Sequence, residues 1–192
     1  YCGYYSWKCG NGAYKQKSGA KVYGGHFSIC HWLDFGCEWD VPFVQTTIEN
    51  NPEMTRYDGE YIDAVDATPF EVFLAEAADY AIAYESERYH EQRPLALTNW
   101  VTTDPLDHPG EPSAMEDAVG IDVEKLKAKS GFDAGMFASY HVYPYYPDFF
   151  NYELKYQQDE QINTYRAYIK ELHEYHTIPV IISEVGLPSS RG

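Results

Sequence analysis

Basic residues are scarce in this sequence. Only 14 Lys and Arg stand against 30 Asp and Glu in 192 residues, a formal net charge of −16. That balance excludes the basic stripe from which nucleic-acid binders draw their affinity, and it makes polyanions poor partners. No run approaches the ~20 consecutive apolar residues of a membrane span. The opening residues also lack the basic, apolar and small-residue order of a leader. Cysteine is confined to Cys2, Cys9, Cys30 and Cys37, without the paired C-x-x-C spacing of zinc knuckles. Two disulfides, or a Cys/His metal site shared with His26 and His31, are both compatible with those positions, and neither is assigned. There is no internal repeat and no low-complexity tract. What the chain does have is 44% hydrophobic residues, enough for a buried core. At this length one domain is the default, although closed barrels of strands and helices usually run to about 250 residues. It is also rich in rings: 19 Tyr, 9 Phe and 4 Trp. Tyr and Trp offer a flat apolar face with a polar edge, which suits sugar rings and adaptable interfaces alike.

Residues 1–30 are rich in Tyr, Gly and Lys, show no sustained period, and read as an irregular lead-in. From His26 the pattern changes. The run HFSICHWLDFGCEWD reads as a strand ending near Cys37 and Glu38, and residues 45–66 read as a long polar surface loop. Thr68, Pro69 and Glu71 then form an N-cap, a first-turn proline and a capping box. Phe70, Phe73, Leu74, Ala77, Ala78, Ala81 and Ile82 follow at helical spacing, predicting a helix to about Tyr89. LALTNW (95–100) reads as a buried strand, and its exit TTDPLDHPGEP as a rigid, solvated loop. The remaining elements are a short helix over 122–129 capped by Asp122, a strand over 135–143, a helix over 159–175 and a strand over 178–183. In the helix over 159–175, Ile162, Tyr165, Ile169, Leu172 and Tyr175 or His176 face inward. Strand and helix alternate from residue 33 to 186, which predicts parallel α/β organisation.

In parallel α/β folds the ligand site lies at the carboxyl ends of the strands. Those ends carry Glu38, Trp39 and Asp40; Asn99 and Trp100; His141, Tyr143 and Tyr145; and Ser183 with Glu184. Two facing carboxylates are what glycosidic cleavage requires, one as proton donor and one as nucleophile or stabiliser, with Trp and Tyr as stacking platforms. Each residue also has an ordinary role open to it. Asn99 can cap its own loop, His141 can be a satisfied core imidazole, and Glu38 can be a simple loop acid.

The segment IPVIISEVGLPSSRG delivers Glu184 from an apolar strand just before a Gly, and SYHVYPYYPDF precedes it. Together they resemble the clan A glycoside hydrolases, and most closely the family 17 glucan hydrolases and transglycosylases. Those proteins carry an aromatic YPY on strand six and E-x-G-x-P-S on strand seven. The matching residues here are Tyr143, Pro144 and Tyr145, then Glu184, Gly186, Pro188 and Ser189. The resemblance implies a partial (β/α)₈ TIM-barrel-like fold over residues 31–192, with WLDFGCE, LALTNW, YHVYP and IPVIISE as strands four to seven. It makes Glu184 the nucleophile and Glu38 the acid/base, although Cys37 stands where the family carries Asn. Trp39, Asn99, Trp100, His141, Tyr143 and Tyr145 would line the subsites, with no cofactor and no metal. An alternative registration puts LALTNW on strand four and leaves no acid after Asn99; regular strand spacing favours the first. Strands one to three and eight have no counterpart, so the chain reads as part of a larger barrel or one completed by a partner chain.

The implied function is a retaining glycoside hydrolase or transglycosylase acting on a β-linked polysaccharide or oligosaccharide. The alternative is an inactive carbohydrate-binding or scaffold domain. An extracellular or envelope location follows only from the family's usual substrates.

Overall fold

The computed structural model describes residues 7–9, 12–14, 32–144, 148–157 and 163–187. β1 (Trp7–Cys9) and β2 (Gly12–Tyr14) pair antiparallel, so the lead-in contains a short hairpin. The chain continues through β3 (Leu33–Gly36), α1 (Val41–Asn50), β4 (Arg56–Asp58), β5 (Ile62–Val65) and α2 (Pro69–Tyr89). It ends with β6 (Leu95–Trp100), β7 (Leu126–Ala128), β8 (Met136–His141), α3 (Thr164–Tyr175) and β9 (Val180–Glu184). β3, β6, β8 and β9 form a four-stranded parallel sheet in that order. These are the four apolar runs picked out in the sequence, so the fold is mixed α/β with a parallel sheet flanked by helices. No described helix is long and apolar enough to cross a membrane.

Side chains alternate across each strand, and the sheet's two faces differ in character. One face presents Leu33, Leu95, Leu97, Ala138 and Tyr140. These join Phe70, Leu74, Ala78 and Ile82 of α2, and Tyr168 and Leu172 of α3, in a single buried core. The other face carries Asp34, Thr98, Ser139 and Ser183, one from each strand. β3 sits close against β6 because Gly36 has φ +128° and no Cβ. A Cβ there would lie 2.1 Å from the Thr98 carbonyl oxygen.

The helix at Thr68 forms as its sequence dictates. Glu71 N–H donates to Thr68 Oγ1 (3.3 Å) and Thr68 N–H to Glu71 Oε2 (2.6 Å), and His90 ends the helix in the left-handed region. Elsewhere the structure corrects the sequence reading. Residues 45–66 are not a loop: they hold the end of α1, then β4 and β5, which join β7 in a three-stranded antiparallel sheet. Strands this short carry too little periodicity to stand out. Residues 122–129 are not a helix but one 3₁₀ turn, capped by Asp122 and followed directly by β7. The loop after β6 is solvated only in part: Asp107, Pro109 and Pro112 are exposed, but Asp104 and His108 are buried, and Tyr168 OH donates to Asp104 Oδ2 at 2.5 Å. The inner face of α3 is formed by Tyr168 and Leu172, with Tyr165 and Ile169 at its margin; Ile162 lies outside the described residues.

Glu124 ties this region together. Its carboxylate accepts from Thr177 N–H (2.7 Å), Thr177 Oγ1 (2.6 Å) and Ile178 N–H (3.1 Å), with His176 Nδ1 at 3.3 Å. His176 Nε2 lies 2.8 Å from Tyr140 OH. Donation from Nδ1 to Glu124 and acceptance of the Tyr140 hydroxyl at Nε2 satisfies both ends of the ring. Burial alone would raise the Glu124 pKa, but the Thr177 hydroxyl and the two amides outweigh it and hold the carboxyl at about 2. A depressed carboxyl pKa stabilises the fold above the unfolded value near 4.5 and loses that contribution as pH falls toward about 2. Glu124→Gln should therefore lower Tm at neutral pH. The gap to the parent protein should narrow as pH is taken from 4.5 toward 2 in a series of melting curves. A gap independent of pH would refute this account.

Candidate active site

Glu38 follows the end of β3, His141 is the last residue of β8, and Glu184 is the last residue of β9. The parallel sheet brings all three to one carboxyl edge. His141 Nδ1 lies 3.3 Å from Glu38 Oε1 and 3.4 Å from Glu184 Oε2. One ligand atom from each of the three residues falls within 4.8 Å of the others. The His141 side chain is 9% exposed, against 45% for Glu38 and 36% for Glu184. A fixed imidazole is thus flanked by two carboxylates that reach solvent.

A register shift between β8 and β9 aims Glu184. Tyr140 pairs with Ile182, but His141 pairs with Glu184, so β9 carries one extra residue, Ser183. Strict alternation would send Glu184 to the face of Ile182, toward the helices. The bulge turns it to the side of His141, the kind of re-aiming for which bulges are used beside sites. The Glu184 carbonyl still accepts from Val142 N–H at 2.9 Å, so pairing resumes.

Tyr143 OH donates to Glu184 Oε2 at 2.9 Å. That bond, more than burial, pushes the phenol pKa up, so the hydroxyl stays a donor. Gly186 runs beside this ring, where a Cβ would make an ordinary contact at 3.4 Å from Tyr143 Cε1. Burial, reinforced by the neighbouring Glu38 charge, pushes the Cys37 thiol up to about 11, which leaves a protonated thiol beside the site.

The other expected residues divide. Trp100 is half-buried at the same strand ends and donates its indole N–H to the Trp39 carbonyl (3.1 Å). Trp39 donates to the Thr98 carbonyl (3.1 Å) and packs edge-on against Phe70, 5.0 Å between centroids. It braces β6 against α2, and neither indole N–H points into the cleft. Asn99 is turned away from the cluster. Its amide donates to the Thr103 and Ile121 carbonyls, and its oxygen accepts from Trp100 N–H and Thr103 Oγ1, so it caps its own loop. Tyr145, Pro188 and Ser189 lie outside the described residues.

Beneath the carboxylates runs a polar row that the sequence reading passed over. Thr98 Oγ1 bonds Asp34 Oδ1 and lies 2.8 Å from Ser139 Oγ, which donates to Ser183 Oγ at 2.7 Å. The signal was there: one small polar or acidic residue inside each apolar strand, on the cleft side. The row supports the strand ends from below and fixes their spacing. Comparison of the chain with protein-family models, curated proteins and solved structures finds no significant match.

Proposed function

We propose that this chain is the catalytic part of a retaining glycoside hydrolase or transglycosylase, acting on a β-linked polysaccharide or oligosaccharide. The observation that carries this reading is the convergence of Glu38 and Glu184. They come from the two edge strands of a four-stranded sheet. Three inter-strand spacings of a flat sheet would put those edges roughly 14 Å apart. One carboxylate oxygen of each nevertheless lies within 4.8 Å of the other, far closer than the edges of a flat sheet would allow. Such convergence favours a strongly curled sheet, as an arc of a (β/α)₈ barrel would be.

Glu184, oriented by Tyr143, attacks the anomeric carbon as the bond to the leaving oxygen breaks. Glu38, the more exposed acid, gives its proton to that oxygen. In the second step Glu38 takes a proton from water or an acceptor hydroxyl, which displaces Glu184. Proton magnetic resonance of the first-formed sugar, released from a panel of β-glucan oligosaccharides, tests this: the β-anomer is expected, and initial α-anomer would sink the retaining mechanism. Tyr143→Phe removes one hydrogen bond to the charged nucleophile, worth about 1.5–3 kcal/mol. A fall in kcat/KM of roughly 10–100-fold should follow, read from progress curves on the same substrate.

One observation favours a second reading. Ile181, Val185 and Leu187, along and after the β9 edge, are exposed, so no described element covers the cleft on that side. An inactive carbohydrate-binding domain would still bind saccharide after Glu38→Gln and would release no sugar before it.

A further inference from the structure

We propose that Glu38, His141 and Glu184 also form a binding site for a divalent transition-metal cation, Zn²⁺ foremost, which blocks the cleft when bound. The blocking rests on the glycosidase reading; the binding does not.

The argument begins with the donor set. One imidazole nitrogen and two carboxylate oxygens are three protein ligands of the kind that hold zinc in open sites, with the fourth position left to water. The nitrogen and the small ligand number disfavour Mg²⁺ and Ca²⁺, which take six or more oxygens. The spacing agrees. With bonds of about 2.0–2.1 Å, a tetrahedral ion keeps its ligand atoms about 3.3–3.4 Å apart. The contacts from His141 Nδ1 to Glu38 Oε1 and to Glu184 Oε2 are 3.3 and 3.4 Å. Two edges of a tetrahedron's face therefore already have the required length. The third, between the carboxylates, is at most 4.8 Å and closes by a torsion of the half-exposed Glu38 side chain.

Support comes from behind the ligands. His141 is held on β8 with little exposure, and Tyr143 OH fixes Glu184 from the second rank at 2.9 Å, the arrangement that orients metal ligands. A chain of net charge −16 also raises the local concentration of cations. The consequence for catalysis is direct. A cation shared by both carboxylates engages the lone pair Glu184 needs for attack and takes the place of the proton Glu38 must donate.

The test uses the full chain carrying Cys37→Ser, stripped with EDTA, dialysed, and alkylated with iodoacetamide so that the other three cysteines cannot compete. Calorimetric titration with ZnCl₂ should give one equivalent bound. Co²⁺ in its place should give the visible bands of a four-coordinate site, without thiolate charge transfer. Because outer-rank residues already change metal affinity by roughly 10–100-fold, Glu38→Gln, His141→Gln and Glu184→Gln should each weaken binding at least about 100-fold. Glu38 is half exposed, so Glu38→Gln keeps the test informative even if the other two variants melt early. Absence of binding, or unchanged binding in folded Glu38→Gln, overturns the proposal. On β-glucan oligosaccharides, Zn²⁺ should suppress turnover at least tenfold, and EDTA should restore it. Metal binding that needs all three residues in a protein without glycosidase activity would leave the metal site standing and remove the enzyme reading. Turnover in a protein that ignores Zn²⁺ would do the reverse.

Discussion

Glu184→Gln should lower turnover of an oligosaccharide by at least about 10⁴-fold, because it removes the attacking oxygen's charge and leaves the shape of the site intact. The amide can still accept the Tyr143 hydroxyl bond, so saccharide binding should change little and the loss should fall on kcat. Glu38→Gln should behave differently. General acid catalysis is worth roughly 10²–10⁴, but an aryl oxide leaves without a proton. Formation of the intermediate from an aryl glycoside should therefore be nearly normal, while its breakdown is slowed. A burst of phenol followed by slow turnover is the expected trace for Glu38→Gln, with no burst for Glu184→Gln. Near-normal oligosaccharide hydrolysis by Glu184→Gln would end the assignment.

The largest stability effect is expected far from the cleft, at Asp79 in the middle of α2. Its carboxylate accepts the backbone N–H groups of Glu60 (3.2 Å), Tyr61 (2.6 Å) and Ile62 (2.9 Å), and the Tyr57 hydroxyl (3.1 Å). One side chain thus holds the turn between β4 and β5. The backbone comes so close that a Cβ at Gly59 would lie 2.5 Å from Asp79 Cγ. Asp79→Ala leaves four donors without an acceptor, Ile62 N–H deeply buried among them. At about 1 kcal/mol or more for each, the cost is about 4 kcal/mol. For a domain of this size that corresponds to about 8–16 °C in Tm. Urea unfolding followed by circular dichroism should show it, with Tyr57→Phe losing only about 1 kcal/mol as a control. Equal stability of Asp79→Ala and the parent would mean that the turn is held by other contacts.

Much of this architecture was legible one element at a time. The capping box at Thr68 and Glu71, the spacing of Phe70, Leu74, Ala78 and Ile82, and the apolar runs ending at Glu38, Trp100, His141 and Glu184 are local signals, and each produced the expected element. β4, β5 and β7 were not legible. Each is three or four residues long, and a single distant carboxylate, Asp79, organises the turn that pairs two of them. Asp104 and His108 were misread for a related reason. A Pro- and Asp-rich run looks solvated until α3 folds over it and Tyr168 supplies the hydrogen bond that makes burial tolerable.

For the candidate site, the residue types and their order along the chain were decided by the sequence, because each stands at the end of a hydrophobic run and strand ends share one edge in a parallel sheet. What the tertiary structure alone decided is which of them meet. A bulge of one residue at Ser183 turned Glu184 toward His141. The hydrogen-bonding demand of its own loop turned Asn99 away. The approach of Glu38 to Glu184 depends on how the sheet brings its two edges together, which is a property of packing rather than of any local segment.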